Sequence, residues 1–329
     1  MDIDSLLAGG LRGCALITRG GETLCHRAFG YADLPNRVPN RIDTRFATAS
    51  AGKVFVAVGI LQLIESGRLR FADSLGELLD LDLKAIDPHI TVEELLTHTS
   101  GIPDYFDESV MEEYEELWTD FPNYRVRKNS DLLPLFIDKP MMYPRGGRFQ
   151  YNNTGFVVLA LILERVTNLP FDEALKQSVF VPCGMRSTGY YELDRLPARC
   201  AANYILDARD GSYRTNIYSV DAKGTGAGGA FTTAQDVRSF WTHLLAGRLL
   251  SPDMTEAMLS NHSGEARCYG YGIWLDAKGE ACTPYFQGSD PGVSFLSRYD
   301  RERDLLITLM SNYADDVWYL MRALRAALE

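Results

Sequence analysis

The chain has 329 residues, of which 46% are apolar and 23% are charged, as in an ordinary folded protein and unlike a disordered one. Its 33 basic and 44 acidic residues give a net charge of -11 without a concentrated basic face, which argues against nucleic acid or an anionic membrane as a partner. At this length we expect one large domain or two packed domains.

The first predicted element is a β-hairpin. Residues 14–18 alternate in polarity, Gly20 and Gly21 form a turn, and residues 23–29 return. A helical pattern follows from Ser50 to Ser66, apolar on nearly all faces, and Gly67 ends it. Since a helix without a polar face is usually buried, we expect Ser50 at the N-terminal end of a central buried helix.

The middle of the chain, from about 73 to 214, has helical patterns punctuated by prolines. The predicted helices cover 91–96, 108–118, 131–138, 154–167 and 171–179. Strand patterns return near the C-terminus. They cover 268–275, 283–287, 293–299 and 305–310, with turns at 276–279 and 300–304, and an amphipathic helix at 315–328 closes the chain.

This order of elements predicts an α/β (α+β) fold, with an antiparallel sheet that is flanked by helices and built from both ends of the chain. A mainly helical domain is inserted between those ends. We expect residues 1–72 and 215–329 to form the sandwich domain and residues 73–214 to form the helical one, with the active site at their interface.

Location and metal content follow from other patterns. The N-terminus begins Met1-Asp2-Ile3-Asp4, whereas a secretory signal needs a positive start and an apolar run, so we expect a cytoplasmic protein. The longest strongly apolar stretch, 54–64, is too short to span a bilayer. The six cysteines include no Cys-x-x-Cys pair and the five histidines show no ligand spacing, so free thiols, no metal and no cofactor are expected.

Ser50-Ala-Gly-Lys53 is the only Ser-x-x-Lys sequence in the chain. On a helix, three residues advance about one turn, so the hydroxyl and the amine project from the same face. Serine needs an adjacent base to act as a nucleophile, and lysine can be that base when burial lowers its pKa. Serine and lysine also fall at this spacing by chance, but a charge in so apolar a helix is costly unless it has a function.

Two further segments carry candidate groups. Tyr151-Asn152-Asn153 is the only Tyr-x-Asn sequence; a phenol can share a proton with a lysine, and an amide can hold a substrate carbonyl. Taken alone, a helix N-cap by Asn152 or Asn153 above a packed Tyr151 is preferred. In 286–292, Gly288 would let a substrate backbone approach a strand whose N–H completes an oxyanion hole, although an ordinary turn explains it equally well.

The order and spacing of these segments resemble the serine β-lactamase and penicillin-binding-protein superfamily, in particular the class C β-lactamase-like branch with its esterases and D-amino-acid peptidases. The stretch from Leu95 to Asp104 is similar to the Leu-Leu-Thr-His-Thr-Ser-Gly signature of that branch. Residues 149–161 resemble its Tyr-x-Asn helix, and residues 226–237 resemble its glycine-rich stretch leading to a helix.

The resemblance implies a β-lactamase/transpeptidase-like fold and a serine hydrolase. Ser50 would be the acylated nucleophile, and Lys53 and Tyr151 would share the general-base and general-acid work. Asn153 would contact the acyl-side amide of a small-molecule substrate. The backbone N–H groups of Ser50 and Ser289 would form the oxyanion hole.

One position departs from the pattern. The third motif of the resembled family usually begins with Lys or His, two residues before the glycine that Gly288 matches, and this chain has Phe286 there. Phenylalanine cannot bind a substrate carboxylate as that cation does. We therefore expect a small ester, or a peptide-like amide without a nearby carboxylate, to be a better substrate than a penicillin. The oligomeric state does not follow from the sequence.

Three alternatives stay open. A Ser-His-Asp triad would use His98, but no Gly-x-Ser-x-Gly elbow is present, and in the resembled family this histidine lies in a structural loop. A non-catalytic or weakly acylating penicillin-binding or sensor protein would explain Phe286, whereas the retained serine, lysine, tyrosine and asparagine favour an enzyme. The acidic and aromatic run 105–124 is interpreted as a solvated helix in preference to a lid.

Overall fold

The structure, a computed structural model, describes residues 3–264, 268–278 and 281–328. Its α-helices are α1 (Ile3–Gly10), α2 (Lys53–Glu65), α3 (Leu75–Leu78), α4 (Val92–Leu96), α5 (Asn153–Thr167), α6 (Phe171–Leu175), α7 (Ala234–Leu245), α8 (Pro252–Met258) and α9 (Val317–Leu328). Its strands are β1 (Gly13–Arg19), β2 (Glu22–Phe29), β3 (Tyr31–Asp33), β4 (Val38–Pro39), β5 (Phe46–Ala47), β6 (Tyr204–Leu206), β7 (Tyr213–Thr215), β8 (Phe231–Thr232), β9 (Trp274–Lys278), β10 (Ala281–Asp290), β11 (Val293–Asp300) and β12 (Leu305–Ser311).

A six-stranded antiparallel sheet in the order β2-β1-β12-β11-β10-β9 forms the centre of the fold. Its strands come from both ends of the chain, which confirms the predicted antiparallel sheet and its flanking helices. The predicted hairpin is β1 and β2, and both turn glycines have positive φ, 57° at Gly20 and 78° at Gly21, as a two-residue hairpin turn requires.

Helices cover both faces of this sheet. Because side chains alternate along a strand, Ala15 and Ile17 of β1 pack toward α1 and α9, while Cys14 and Leu16 belong to the core on the opposite face. That opposite core also contains most of α2 and α7. The strand is therefore buried on both faces, as an internal layer of a sandwich must be.

Helix α2 is buried on nearly every side, as its lack of a polar face predicts. A 3₁₀ turn, Ala49–Gly52, leads directly into it, so the predicted helix of 50–66 begins as a tighter turn. Its apolar side chains, Phe55 among them, contact α5, α6 and α7. Ser50, the candidate nucleophile, thus lies at the N-terminal end of a helix that is buried in the protein interior.

The helices α3 to α6 lie in the middle of the chain, where the helical domain was predicted. One continuous apolar core nevertheless includes Phe55 of α2, Phe156 of α5 and Phe240 of α7. The division into 1–72 with 215–329 and 73–214 stays a prediction.

Some predicted elements take a different form. Residues 108–118 hold only a 3₁₀ turn, Tyr114–Trp118, because the closely spaced glutamates repel one another along a helix. Residues 131–138 overlap a 3₁₀ helix, Asn129–Leu135, since Pro134 lacks the N–H that an α-helix needs there. The strand predicted from residue 268 begins only at Trp274, after Gly272 with φ 71°. The turn predicted at 276–279 was placed too early, since residues 276–278 belong to β9 and pair with β10, and residue 279 lies outside the described residues.

The residue patterns predicted none of the helices α1, α3, α7 and α8, although the resemblance implied a helix after the glycine-rich stretch 226–237, where α7 lies. Thr233 caps α7 by accepting a hydrogen bond from the Asp236 N–H, and Ser251 caps α8, which has proline at its first position. These capping residues could have been used to predict the two helices from the sequence.

Within the described residues, no single helix is long and apolar enough to cross a membrane. One sharply bent pair, Asn153–Thr167 with Phe171–Phe180, reaches that length and composition when its two helices are taken together. The cytoplasmic location expected from the N-terminal residues stays a prediction.

Candidate active site

Ser50 lies in the 3₁₀ turn that precedes α2. The residue before it, Ala49, has φ 47°, a left-handed conformation that costs energy for any residue with a Cβ. The Ala49 carbonyl accepts a hydrogen bond of 3.0 Å from the Gly229 N–H, which helps to hold this bend. Strain of this kind is often found at functional sites, where it directs a side chain that regular structure would turn away.

The Lys53 amine is within hydrogen-bond distance of three acceptors. Its Nζ lies 3.0 Å from the Ser50 Oγ and 2.9 Å from the Asn153 Oδ1, and it also contacts the Ala227 carbonyl oxygen. The side chain is 2% exposed. If the amine is neutral, two of these acceptors take its two N–H groups, and its lone pair can accept the Ser50 hydroxyl proton.

Burial lowers the pKa of Lys53 to about 8. Loss of solvation is the largest cause, and the carboxylates of Glu108, Asp104 and Asp290 oppose it by favouring the charged form. A lysine with a pKa this near neutrality can take up and return a proton under ordinary conditions.

Tyr151 lies directly beside this pair. Burial raises the pKa of its phenol well above the usual value, and a hydrogen bond with the Ser50 side chain acts in the opposite direction. The Lys53 Nζ lies 5.0 Å from the centroid of its ring, and the ring stacks on Trp274 at 5.7 Å. Tyr151 is therefore a neutral phenol that can donate a proton.

The Tyr-x-Asn segment combines a helix cap with site residues. The Asn152 Oδ1 accepts a hydrogen bond of 2.8 Å from the Gly155 N–H, so Asn152 is the N-cap of α5. Its neighbours Tyr151 and Asn153 face the cavity that contains Ser50. In this segment, Asn152 therefore caps the helix, and Tyr151 and Asn153 are the candidate site residues.

The side-chain amide of Asn153 forms hydrogen bonds with other groups of the protein. Its Oδ1 accepts from Lys53, and its Nδ2 donates to the Phe106 carbonyl oxygen at 3.1 Å. Asp104, for which the sequence suggested no role, accepts hydrogen bonds from the backbone N–H groups of Asn153, at 2.8 Å, and Thr154, at 3.0 Å. This buried carboxylate, at the end of the Leu95 to Asp104 signature, positions the amide that holds the lysine.

Gly288 of β10 lies against the nucleophile segment. A Cβ on this residue would lie 2.4 Å from the Thr48 carbonyl oxygen and 2.6 Å from the Ser50 nitrogen. The close approach predicted for a substrate backbone is thus made by the protein's own backbone. Ser289, the next residue, lines the cavity, and the oxyanion-hole role of the Ser50 and Ser289 N–H groups stays a prediction.

Phe286 is in a different place from the one expected of a substrate-binding residue. It is 2% exposed and is not among the side chains that line the cavity. Its ring packs with Trp241 at 5.3 Å, with Phe295 at 5.6 Å and with Phe240 at 5.8 Å. An uncharged aromatic ring gains more from this core than from water, so Phe286 fills space behind the site.

His98 has both ring nitrogens occupied by partners other than Ser50. Its Nδ1 accepts from the Asn152 N–H at 3.2 Å, which places the proton on Nε2, 3.1 Å from the Tyr269 hydroxyl. Burial lowers its pKa well below the usual value. This neutral histidine supports the loop in front of α5, as the structural interpretation predicts.

The cavity that contains Ser50 has a volume of about 1160 Å³. Its walls include Glu108 and Tyr114 from the run 105–124, which was interpreted as solvated, and Asp290 from the possible turn at 286–292. Asp221, for which the sequence suggested no role, also lines the cavity. The acidic run is therefore part of the cavity wall, and only its density in glutamate and aromatic residues could have indicated this. Among the described residues, no group of three or more His, Cys, Asp or Glu side chains is arranged to hold a metal ion.

Comparisons with known proteins agree with this geometry. A family model described as Beta-lactamase matches residues 3–329. Penicillin-binding protein 4* of Bacillus subtilis (strain 168) is 30% identical over 339 residues, 96% of this chain and 71% of that protein. Esterase EstB of Burkholderia gladioli is 32% identical over 195 residues, 58% of this chain and 49% of that protein. A solved penicillin binding protein from Bacillus halodurans is 38% identical with a TM-score of 0.94, over 99% of this chain and 100% of that one.

The family model extends over nearly the whole chain, and the sheet with its flanking helices has the β-lactamase/transpeptidase fold. On these matches, the chain is a serine hydrolase that belongs to the beta-lactamase family.

Proposed function

We propose that the protein hydrolyses small esters or peptide-like amides through an acyl-Ser50 intermediate. The observation that carries this proposal is the contact of 3.0 Å between the Ser50 Oγ and the buried Lys53 amine, whose pKa is lowered to about 8. Serine with an adjacent base of suitable pKa is the arrangement that nucleophilic catalysis needs.

In the acylation step, the Ser50 Oγ attacks the substrate carbonyl carbon while its proton passes to the neutral Lys53 amine. The oxyanion that forms would be held by the N–H groups of Ser50 and Ser289. When the carbonyl re-forms, the bond to the leaving oxygen or nitrogen breaks, and the leaving group takes a proton from Tyr151 or from the lysinium. The products of this step are the released alcohol or amine and the acyl-Ser50 ester.

In the deacylation step, water attacks the acyl carbon and gives its proton to the same pair, and the Ser50 Oγ leaves with a proton returned to it. Tyr151 suits the acid role because its raised pKa keeps the phenol protonated. Asn153 and the Ala227 carbonyl oxygen keep the lysine amine in place through both steps. Positioning of this kind spares the reaction the entropy of assembling its groups.

The cavity offers little to a carboxylate-bearing substrate. Phe286 stands where the family usually has a cation, and it is buried behind the site. Among the described residues that line the cavity, Arg214 is the one lysine or arginine, and it already pairs with Glu115 at 2.8 Å. We therefore place esters, and amides without a nearby carboxylate, ahead of penicillins as substrates.

Labelling with a fluorophosphonate, followed by mass mapping, tests the nucleophile. We expect the adduct on Ser50, and we expect Ser50→Ala to lose both the label and the hydrolysis of short nitrophenyl esters. The exposed Ser212→Ala is the matched control and should keep both. An adduct elsewhere, or full activity in Ser50→Ala, would exclude the acyl-Ser50 mechanism.

A substrate panel of short nitrophenyl esters, nitrocefin and D-alanyl peptides tests the preference. Faster turnover of nitrocefin than of every ester would contradict it. A Ser50 adduct that forms but never hydrolyses would identify the protein as an acylating sensor instead of an enzyme.

A further inference from the structure

The cavity around Ser50 is lined by carboxylates from separate parts of the chain. The charged side chains of its described walls are Glu108, Glu112, Glu113, Glu115, Asp221, Asp276, Asp290 and Arg214, so acidic groups outnumber basic ones seven to one. The walls of the substrate cavity are therefore rich in acidic side chains.

Five of these seven carboxylates form no ion pair with a lysine or arginine of the described residues. Arg214 pairs with Glu115, and Arg325 pairs with Asp276 at 2.9 Å, which neutralises two of the seven. Within the described chain, no lysine or arginine lies within ion-pair distance of Glu108, Asp221 or Asp290. Asp221 accepts a hydrogen bond of 3.3 Å from the Tyr114 hydroxyl, and Glu108 accepts one of 3.5 Å from the Asn153 amide.

The uncompensated carboxylates are costly to ionise. Burial, together with repulsion between the two groups, raises the pKa of Asp221 to about 8, and burial raises that of Asp290 to about 7. A cation bound between them would favour their charged forms, whereas a substrate carboxylate would be repelled. The lysinium form of Lys53 opposes this rise at Asp290, but Lys53 belongs to the proposed catalytic pair.

Aromatic rings form a second part of the cavity wall. Tyr151, Trp274 and Tyr285 stack in a row, with centroids 5.7 Å and 6.4 Å apart, and all three line the cavity. Because Trp274 is stacked between the two tyrosines, its ring faces are covered by them, so this wall offers apolar contact area to the alkyl groups of a substrate. The attraction for a positively charged group comes from the carboxylates.

We infer that the enzyme selects esters and amides that carry a positively charged ammonium group, which Asp221, Asp290 and the wall of Tyr151, Trp274 and Tyr285 bind beside the nucleophile. This inference rests on the proposed function and names its substrate class. The charge on the substrate, which the seryl chemistry itself does not require, then becomes the main determinant of specificity.

A pair of thioesters that differ in charge alone tests this inference. Acetylthiocholine is compared with its uncharged carbon isostere, in which a tert-butyl group replaces the trimethylammonium group, and the released thiol is measured at about pH 8. We expect the wild-type kcat/KM to be at least about 10-fold higher for the cationic ester at low salt. That ratio should fall as salt is added. Equal kcat/KM values for the two esters would overturn the inference.

Variants then assign the preference to the carboxylates. In Asp221→Asn combined with Asp290→Asn, the ratio of the two kcat/KM values should fall at least about 5-fold. The exposed Asp120→Asn, outside the cavity wall, removes the same charge and should keep the wild-type ratio. A ratio unchanged in the double variant, or lowered equally by Asp120→Asn, would overturn the assignment.

The Ser50→Ala variant separates the two proposals. If it still hydrolyses both thioesters, the proposed function fails together with the inference that rests on it. If it is inactive while the wild-type ratio is close to one, only the inference about charge fails.

Discussion

At the scale of single residues, the chemistry depends on how hydrogen bonds stabilise the buried amine of Lys53. Lys53 is 2% exposed, and its Nζ meets the Ser50 Oγ, the Asn153 Oδ1 and the Ala227 carbonyl oxygen. Without those acceptors, a buried amine would be strongly destabilising. With them, burial lowers the pKa of the amine, and the amine stays in the site.

The pH profile of kcat/KM should report the protonation of Lys53. Because the base must be neutral and its pKa is lowered to about 8, kcat/KM should rise as the pH increases through about 8 and level off above it. Lys53→Met should lower kcat/KM about 10³-fold and remove this limb. The exposed Lys176→Met serves as the control, and a flat profile in the wild type would show that another group is the base.

At the scale of elements, the site depends on the contact between β10 and the turn before α2. The β9 strand pairs with β10 only up to Tyr285, so among the described residues the end of β10 has no strand partner on that edge. That end lies instead against Ser50, where Gly288 has no side chain to keep the two backbones apart. Glycine is needed here for closeness and has no special φ.

Gly288→Ala should therefore impair catalysis more than folding. The new Cβ would lie 2.6 Å from the Ser50 nitrogen and would push the strand away from the nucleophile, so we expect kcat/KM to fall at least about 10²-fold.

Gly9→Ala in α1 is the matched control for that substitution. Its new Cβ meets no atom within 4 Å, so activity should be unchanged and stability equal or up to about 1 kcal/mol higher. Steady-state kinetics and urea unfolding measure both variants. Wild-type activity in Gly288→Ala would show that this close contact does not position the nucleophile.

At the scale of the whole molecule, the carboxylates of the cavity oppose folding. The pKa of Asp221 is raised to about 8 and that of Asp290 to about 7, since burial removes water from both groups. Evolution retains destabilising groups where function needs them. The fold, with its apolar core on both faces of the sheet, supplies the stability that offsets this cost.

Asp221→Asn should be more stable than the wild type by an amount that depends on pH. Between the ordinary carboxyl pKa and about 8, the folded protein holds a proton on Asp221 that the unfolded chain has lost, so the wild type loses stability as the pH rises. The advantage of the variant should grow by about 1–3 kcal/mol from about pH 4 to about pH 8, and then level off.

Urea unfolding at several pH values measures this advantage. The exposed Asp120→Asn should show no comparable growth. An Asp221→Asn variant that gained nothing at alkaline pH would mean that the carboxylate is stabilised in the folded protein.

Local patterns carried much of the prediction. Alternation and turn glycines located β1 and β2, and the apolar pattern of α2 located the buried helix. The three-residue spacing, from a 3₁₀ turn into the first residue of α2, was enough to bring Ser50 and Lys53 together. The helix predicted at 108–118 is wrong. Repulsion between its closely spaced glutamates disfavours a helix, and several side chains of this run form part of the cavity wall.

Sequence patterns alone were sufficient to predict the antiparallel sheet from both ends of the chain, the contact between Ser50 and Lys53 and, through the motifs, the family. Only the tertiary structure decided that Asn153 holds the lysine, that Phe286 lies behind the site and that Asp221 and Asp290 face the same cavity. The physical reason is distance along the chain. Periodicity relates residues a few positions apart, whereas charge, desolvation and close contact depend on neighbours that only packing brings together.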